Sequence, residues 1–101
     1  MELSIKNSDE KIVATLVGRL DTAASVKFAT DMQPLMDAAD KHIVLDCEKL
    51  EFISSSGLRL FLSLRKAAAS KGGKIIVKAI NNDIRSVFMM TGFLNLFEIQ
   101  D

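Results

Sequence analysis

The sequence is poor in the residues that usually announce chemistry. Of its 101 residues, one is cysteine, one is histidine and one is proline. A lone Cys47 cannot close an internal disulfide, which suits a reducing compartment and places the protein in the cytosol. One histidine and one cysteine make a poor zinc site, and no cofactor is expected. An excess of one charge is missing too: 13 basic residues balance 13 acidic ones, so no overall field draws nucleic acid or an anionic membrane. Met1 to Lys6 lacks the basic start and apolar stretch of a signal peptide, and no apolar run approaches the roughly 18 residues needed to span a bilayer.

What is present is ordinary for a folded protein. With 49% hydrophobic and 26% charged residues, the composition is far from that of disordered chains, and the length suits a single domain over residues 1–101. Leu3 and Ile5 alternate with polar neighbours, and Ile12 to Val17 is a β-branched run, which predicts a hairpin. Gly18 to Asp21 is expected to break the second strand. Asp21 or Thr22 then caps a helix with Val26, Ala29, Met32, Met36 and Ala39 on its apolar face, kinked or interrupted at Pro34. Ile43 to Leu45 reads as a short buried strand ending at Asp46. Three serines, Ser54, Ser55 and Ser56, precede a long apolar helix that Gly72 stops. Lys74 to Lys78 predicts another strand. Asn82 or Asp83 caps a last helix with Ile84, Val87, Phe88 and Thr91 inward, and Leu96 to Ile99 supplies a final strand. Met89, Met90, Phe93 and Leu94 are assigned mostly to the core, with one or two left as an adaptable contact surface.

This alternation implies an α/β fold: a small, mostly parallel sheet with an antiparallel N-terminal edge strand and about three helices. Ligand-facing chemistry in such sheets gathers at the carboxyl ends of the parallel strands. The turns at Asp21-Thr22, Ser54-Ser55-Ser56 and Asn81-Asn82 all fall on that rim. Short polar residues are also what helix starts require for capping, so no single turn is distinctive. The three serines are different, because only one of them can be the cap. The other two hydroxyls lie beside unpaired amides and the positive end of the helix dipole, where a phosphoryl group would be accommodated without unfolding the protein. Glu48 and Glu51 add negative charge nearby in sequence.

Catalysis is not indicated. The segment Ser54-Ser55-Ser56-Gly57-Leu58 is not a nucleophile elbow, and His42 begins the preceding strand, at the far rim from the serines. Gly72-Gly73 follows a helix, so it is no phosphate loop. Glu48 with Glu51, and Asp37 with Asp40, read as solvated surface, and Cys47 as a small apolar filler.

Four segments resemble the STAS domain of bacterial anti-sigma factor antagonists: Leu16-Val17-Gly18-Arg19-Leu20-Asp21, Ile43-Val44-Leu45-Asp46, Phe52-Ile53-Ser54-Ser55-Ser56-Gly57-Leu58, and Thr91 to Ile99. The resemblance implies a non-enzymatic switch. In that family an unmodified antagonist binds an anti-sigma factor, often itself a serine kinase, and frees the sigma factor. Phosphorylation of a serine at a helix start releases the antagonist, and a phosphatase resets it. Carried onto this sequence, the phosphorylated serine is Ser56, before Gly57, with Asp21, Thr22, Ser54 and Ser55 as neighbours and partner contacts. The family's usual aspartate two positions earlier is Ser54 here, which makes Ser55 an alternative target. Other STAS domains serve as accessory subunits of lipid-transport or signalling complexes without phosphorylation. A nucleotide-binding protein that cradles phosphate on the serine turn is the remaining alternative, and apolar helix surfaces leave room for a homodimer.

Overall fold

The computed structural model describes residues 1–101. Its elements run β1 (Glu2–Asn7), β2 (Lys11–Leu20), α1 (Thr22–Asp31), α2 (Gln33–Asp37), β3 (His42–Ile53), α3 (Ser55–Lys71), β4 (Lys74–Lys78), α4 (Asn82–Thr91), a 3-10 turn (Phe93–Asn95) and β5 (Glu98–Gln100). The five strands lie in the order β1-β2-β3-β4-β5, with β1 antiparallel to β2 and all other pairs parallel. The mostly parallel sheet with an antiparallel edge is therefore as the alternation of elements predicts, with four helices in place of about three.

Period-two alternation turns Ile12, Ala14 and Leu16 of β2 and Ile43, Leu45 and Cys47 of β3 toward one buried cluster of 23 residues. The helices complete that cluster, and Phe61 of α3 joins its halves, with ring centroids 6.3 Å from Phe28, 6.4 Å from Phe88 and 6.4 Å from Phe97. Rings at such spacings add edge-to-face attraction to the area they bury. The opposite sheet face carries Lys11, Val13, His42, Val44, Asp46, Ile76 and Lys78, and no helix residue lines the trough they form.

Several elements depart from the sequence reading. Gly18 does not end β2. The strand passes through it at φ 103° with a shift of register against β3, and continues to Leu20. Likewise β3 does not stop at Asp46 but runs on to Ile53. Beyond Cys47 its buried residues are Leu50 and Ile53, a spacing of three that follows from the two register shifts and hides the strand from an alternation rule. The first helical region divides at Met32, with Pro34 in the first turn of α2. Its buried face is Ser25, Phe28, Met32, Leu35 and Ala39, whereas Val26 is 74% exposed. Phe28 has the most apolar surface to lose, so the helix turns to bury it. Asn81, not Asn82 or Asp83, caps α4. Thr91 is exposed and its hydroxyl donates back to the Val87 carbonyl at 2.8 Å. Met89 and Met90 are 64% and 86% exposed, because they fall on the outer side of α4 once Ile84 and Phe88 face inward. β5 begins only at Glu98, since Leu96 closes the 3-10 turn.

Candidate functional site

Two strand-to-helix turns meet at the carboxyl rim of the sheet. β2 and β3 end side by side, Leu20 paired with Ile53, so the residues that follow each strand start their helices next to one another. Asp21 caps α1, its carboxylate accepting from the Ala24 amide at 2.8 Å. Ser54 caps α3, its hydroxyl accepting from the Gly57 amide at 3.1 Å. The turns are tied together at two points. The Ser54 amide donates to the Leu20 carbonyl at 2.8 Å. The Ser25 hydroxyl, 5% exposed, donates to the Asp21 carbonyl at 2.8 Å and lies 3.4 Å from the Ser54 hydroxyl.

With Ser54 engaged as the cap, the other two serines occupy the first two positions of α3. Ser55 is exposed and Ser56 is half-buried. Helix geometry leaves the amides at these positions without an intrahelical carbonyl to donate to, and the dipole is positive there. Such a turn can take a phosphoryl group on either hydroxyl with favourable electrostatics. Gly57 sets how closely the turn sits: a β-carbon there would stand 2.8 Å from Leu20 Cγ and Cδ2 and 3.0 Å from Ile53 Cγ1. The first turn of α3 therefore rests directly on the last residues of both strands.

The remaining residues singled out in the sequence fall around this turn or away from it. Thr22 is exposed at the start of α1. Asn81 caps α4 through the Ile84 amide at 2.8 Å, and its Nδ2 donates to the Leu50 and Glu51 carbonyls at 3.3 and 3.4 Å. The third turn thus joins the rim against the late part of β3. Glu51 lines a shallow notch with Arg19, Phe52, Ile53, Asp83, Ile84 and Val87. Glu48, six residues before Ser54 along β3, lies roughly 17–20 Å away and does not contribute charge to the serine turn. His42 pairs with Lys11 and Lys74 at the opposite rim, so it is no base for the serines. Cys47 is buried, and burial first, then the Asp46 charge, push its thiol up to about 12. That leaves it a protonated filler, not a nucleophile.

Sequence reasoning missed two participants. Ser25 was hidden because a polar residue at a core position breaks the apolar pattern. The signal was its place four residues after the cap Asp21, in the series 25, 28, 32, 35. The second is Arg19, whose guanidinium lies 4.5 Å from the Phe52 ring centroid. This cation–π contact covers an aromatic ring that remains 37% exposed on the rim. No group of three or more His, Cys, Asp or Glu side chains is placed to hold a metal, and no helix is long and apolar enough to cross a membrane.

Comparisons with known proteins match the chain along nearly its whole length and in its fold. The family model for the STAS domain matches residues 2–101. BtrV of Bordetella bronchiseptica, a candidate anti-sigma factor antagonist, is 28% identical over 99 residues, covering 98% of this chain and 85% of its own. An anti-sigma F factor antagonist from Paenibacillus polymyxa is 27% identical over 103 residues, covering 100% of this chain and 87% of its own. Among solved structures, the unphosphorylated Bacillus anti-sigma factor antagonist SpoIIAA superposes with a TM-score of 0.75 at 22% identity, covering 99% of this chain and 88% of its own. Its phosphorylated form superposes equally well, at 0.75.

Proposed function

The chain belongs to the STAS domain family, and on that premise we propose that it is an anti-sigma factor antagonist switched off by phosphorylation of Ser56. The unmodified rim around Asp21, Thr22 and Ser54–Gly57 docks on an anti-sigma factor that is also a serine kinase. Phosphate on Ser56 then breaks the complex, and a phosphatase restores it. The chain is regulatory and performs no catalysis of its own. Relatives described as antagonists span nearly its whole length.

The observation that carries the reading is the division of labour in the serine turn. Ser54 is committed to the cap and to Ser25, while Ser56, the second residue of α3, is half-buried and not used as the cap. Phosphate adds about 1.5 to 2 negative charges there. Against an apolar or acidic partner surface, a dianion without a counter-ion costs several kcal/mol. About 4 kcal/mol weakens binding roughly a thousandfold. Because the turn already favours anions, the domain itself keeps its structure.

Incubation with the anti-sigma factor and ATP, followed by mass spectrometry, tests the assignment. One phosphate on Ser56 is expected, with Ser56→Ala unlabelled. Equal labelling of Ser56→Ala would move the site to Ser55, and no labelling of the parent would remove the switch.

A further inference from the structure

We propose that β1 is the pairing edge of a two-fold homodimer, in which the β1 strands of two copies join antiparallel about Ser4. The sheet has two edges. β5 offers only three residues, and the Asp101 carboxylate just beyond it is held by Arg85 at 2.8 Å. β1 offers six residues, contains neither proline nor glycine, and keeps an unbroken register on β2 from Glu2–Val17 to Asn7–Ile12. No strand pairs with its outer side. An edge of this kind leaves alternate N–H and C=O groups without a partner strand, and proteins ordinarily blunt it with bulges, prolines or unmatched charge.

Here the charges match a second copy of the same strand. Antiparallel pairing about Ser4 sets Glu2 opposite the partner's Lys6, and Lys6 opposite the partner's Glu2. Leu3 then faces the partner's Ile5, and the two Ser4 residues face each other across the axis. Cross-strand opposite charges and apolar pairs stabilise a ladder, and like charges oppose it. Centring the pair on Leu3 or Ile5 instead sets Glu2 or Lys6 opposite Ser4 and loses both ion pairs. Parallel pairing sets like charges together. The sequence therefore selects one orientation and one register.

The helix side of the edge supports the same occupant. Leu3 and Ile5 are half-buried against the core cluster, and a notch of about 200 Å³ opens beside Leu3, lined by Met1, Ala23, Ala24 and Phe28 among others. The partner's Leu3 and Ile5 extend this apolar surface across the axis. A two-fold contact of this kind closes on itself and does not propagate into fibres. The serine turn follows β3, two strands in from the edge, and stays open in both copies.

Sedimentation of the full chain from micromolar to near-millimolar concentration tests the dimer. A concentration-dependent dimer is expected. Glu2→Lys and Lys6→Glu should each weaken it about tenfold or more, because each turns two attractive pairs into two repulsive ones. The double variant E2K/K6E should recover the parent's dimer. Both side chains are exposed, so unfolding midpoints of all variants should stay close to the parent's. With Cys47 buried, Ser4→Cys supplies the one accessible thiol, and a short bismaleimide should link two copies through it. A parent that stays monomeric throughout, single reversals without effect, a double variant that fails to recover, or an unlinked Ser4→Cys would each overturn the proposal.

Discussion

Replacing Gly57 by alanine should loosen the protein at the place where the serine turn is set. The added carbon would lie 2.8 Å from two atoms of Leu20 and 3.0 Å from Ile53, where carbon pairs normally rest at about 3.5–4.0 Å. Neither neighbour has free space to retreat, since Leu20 is 0% and Ile53 3% exposed. The first turn of α3 must therefore move out by about 1 Å, at an overpacking cost of about 1–3 kcal/mol. Alanine returns at most about 1 kcal/mol of helix propensity over glycine, so the net effect is destabilising. Leu20→Ala, which alone costs about 2–5 kcal/mol, opens the space that the new methyl needs. Urea unfolding of the four proteins of this cycle should show Gly57→Ala destabilising in the parent and neutral or stabilising beside Leu20→Ala. The coupling should be about 1 kcal/mol or more at an unchanged slope. Additive effects, or Gly57→Ala as stable as the parent, would refute the close approach of the helix to Leu20.

The serines should separate in the same assay: Ser54→Ala should cost about 0.5–2 kcal/mol through loss of the cap, whereas Ser56→Ala should stay within about 0.5 kcal/mol. The reverse order would show that the cap is misassigned. Cys47 should make the protein sensitive to alkali. Its thiol is raised from 9.0 to about 12, so above pH 9 the unfolded chain releases a proton that the native state keeps. Stability is full below that point and falls by about 1.4 kcal/mol per pH unit toward 12, relative to Cys47→Ala. A constant difference between the two proteins in urea unfolding from about pH 8 to about pH 11 would contradict this sign.

What could be read in the sequence was whatever leaves a local mark. Alternation in Leu3 to Val17, the polar turns at Asp21 and Ser54, and the glycine stop at Gly72 all depend on neighbours in the chain. Gly72 indeed ends α3 at φ 80°. The hidden parts depend on partners far away in sequence. The second half of β3 is a strand because β2 lies beside it with two register shifts, and its spacing of Cys47, Leu50 and Ile53 departs from the period of two that marks a half-buried strand. The choice of Phe28 over Val26 as the inward residue of α1 is made by Phe61 on the opposing helix. Ser25 looked like noise in an apolar pattern, yet its hydroxyl joins the Asp21 and Ser54 turns. At the serine turn, sequence showed that one hydroxyl must cap and two remain. Only the structure shows that Ser54 takes the cap.

The most direct measurement compares the affinity of an anti-sigma factor for the unmodified chain and for the chain phosphorylated at Ser56, alongside amide spectra of the two free forms. Binding should weaken roughly a thousandfold, and spectral changes should stay within the Asp21–Ser25 and Ser54–Arg59 turns. Equal affinity for both forms, or shifts spread through the sheet, would contradict a switch that acts at one exposed turn on an unchanged fold.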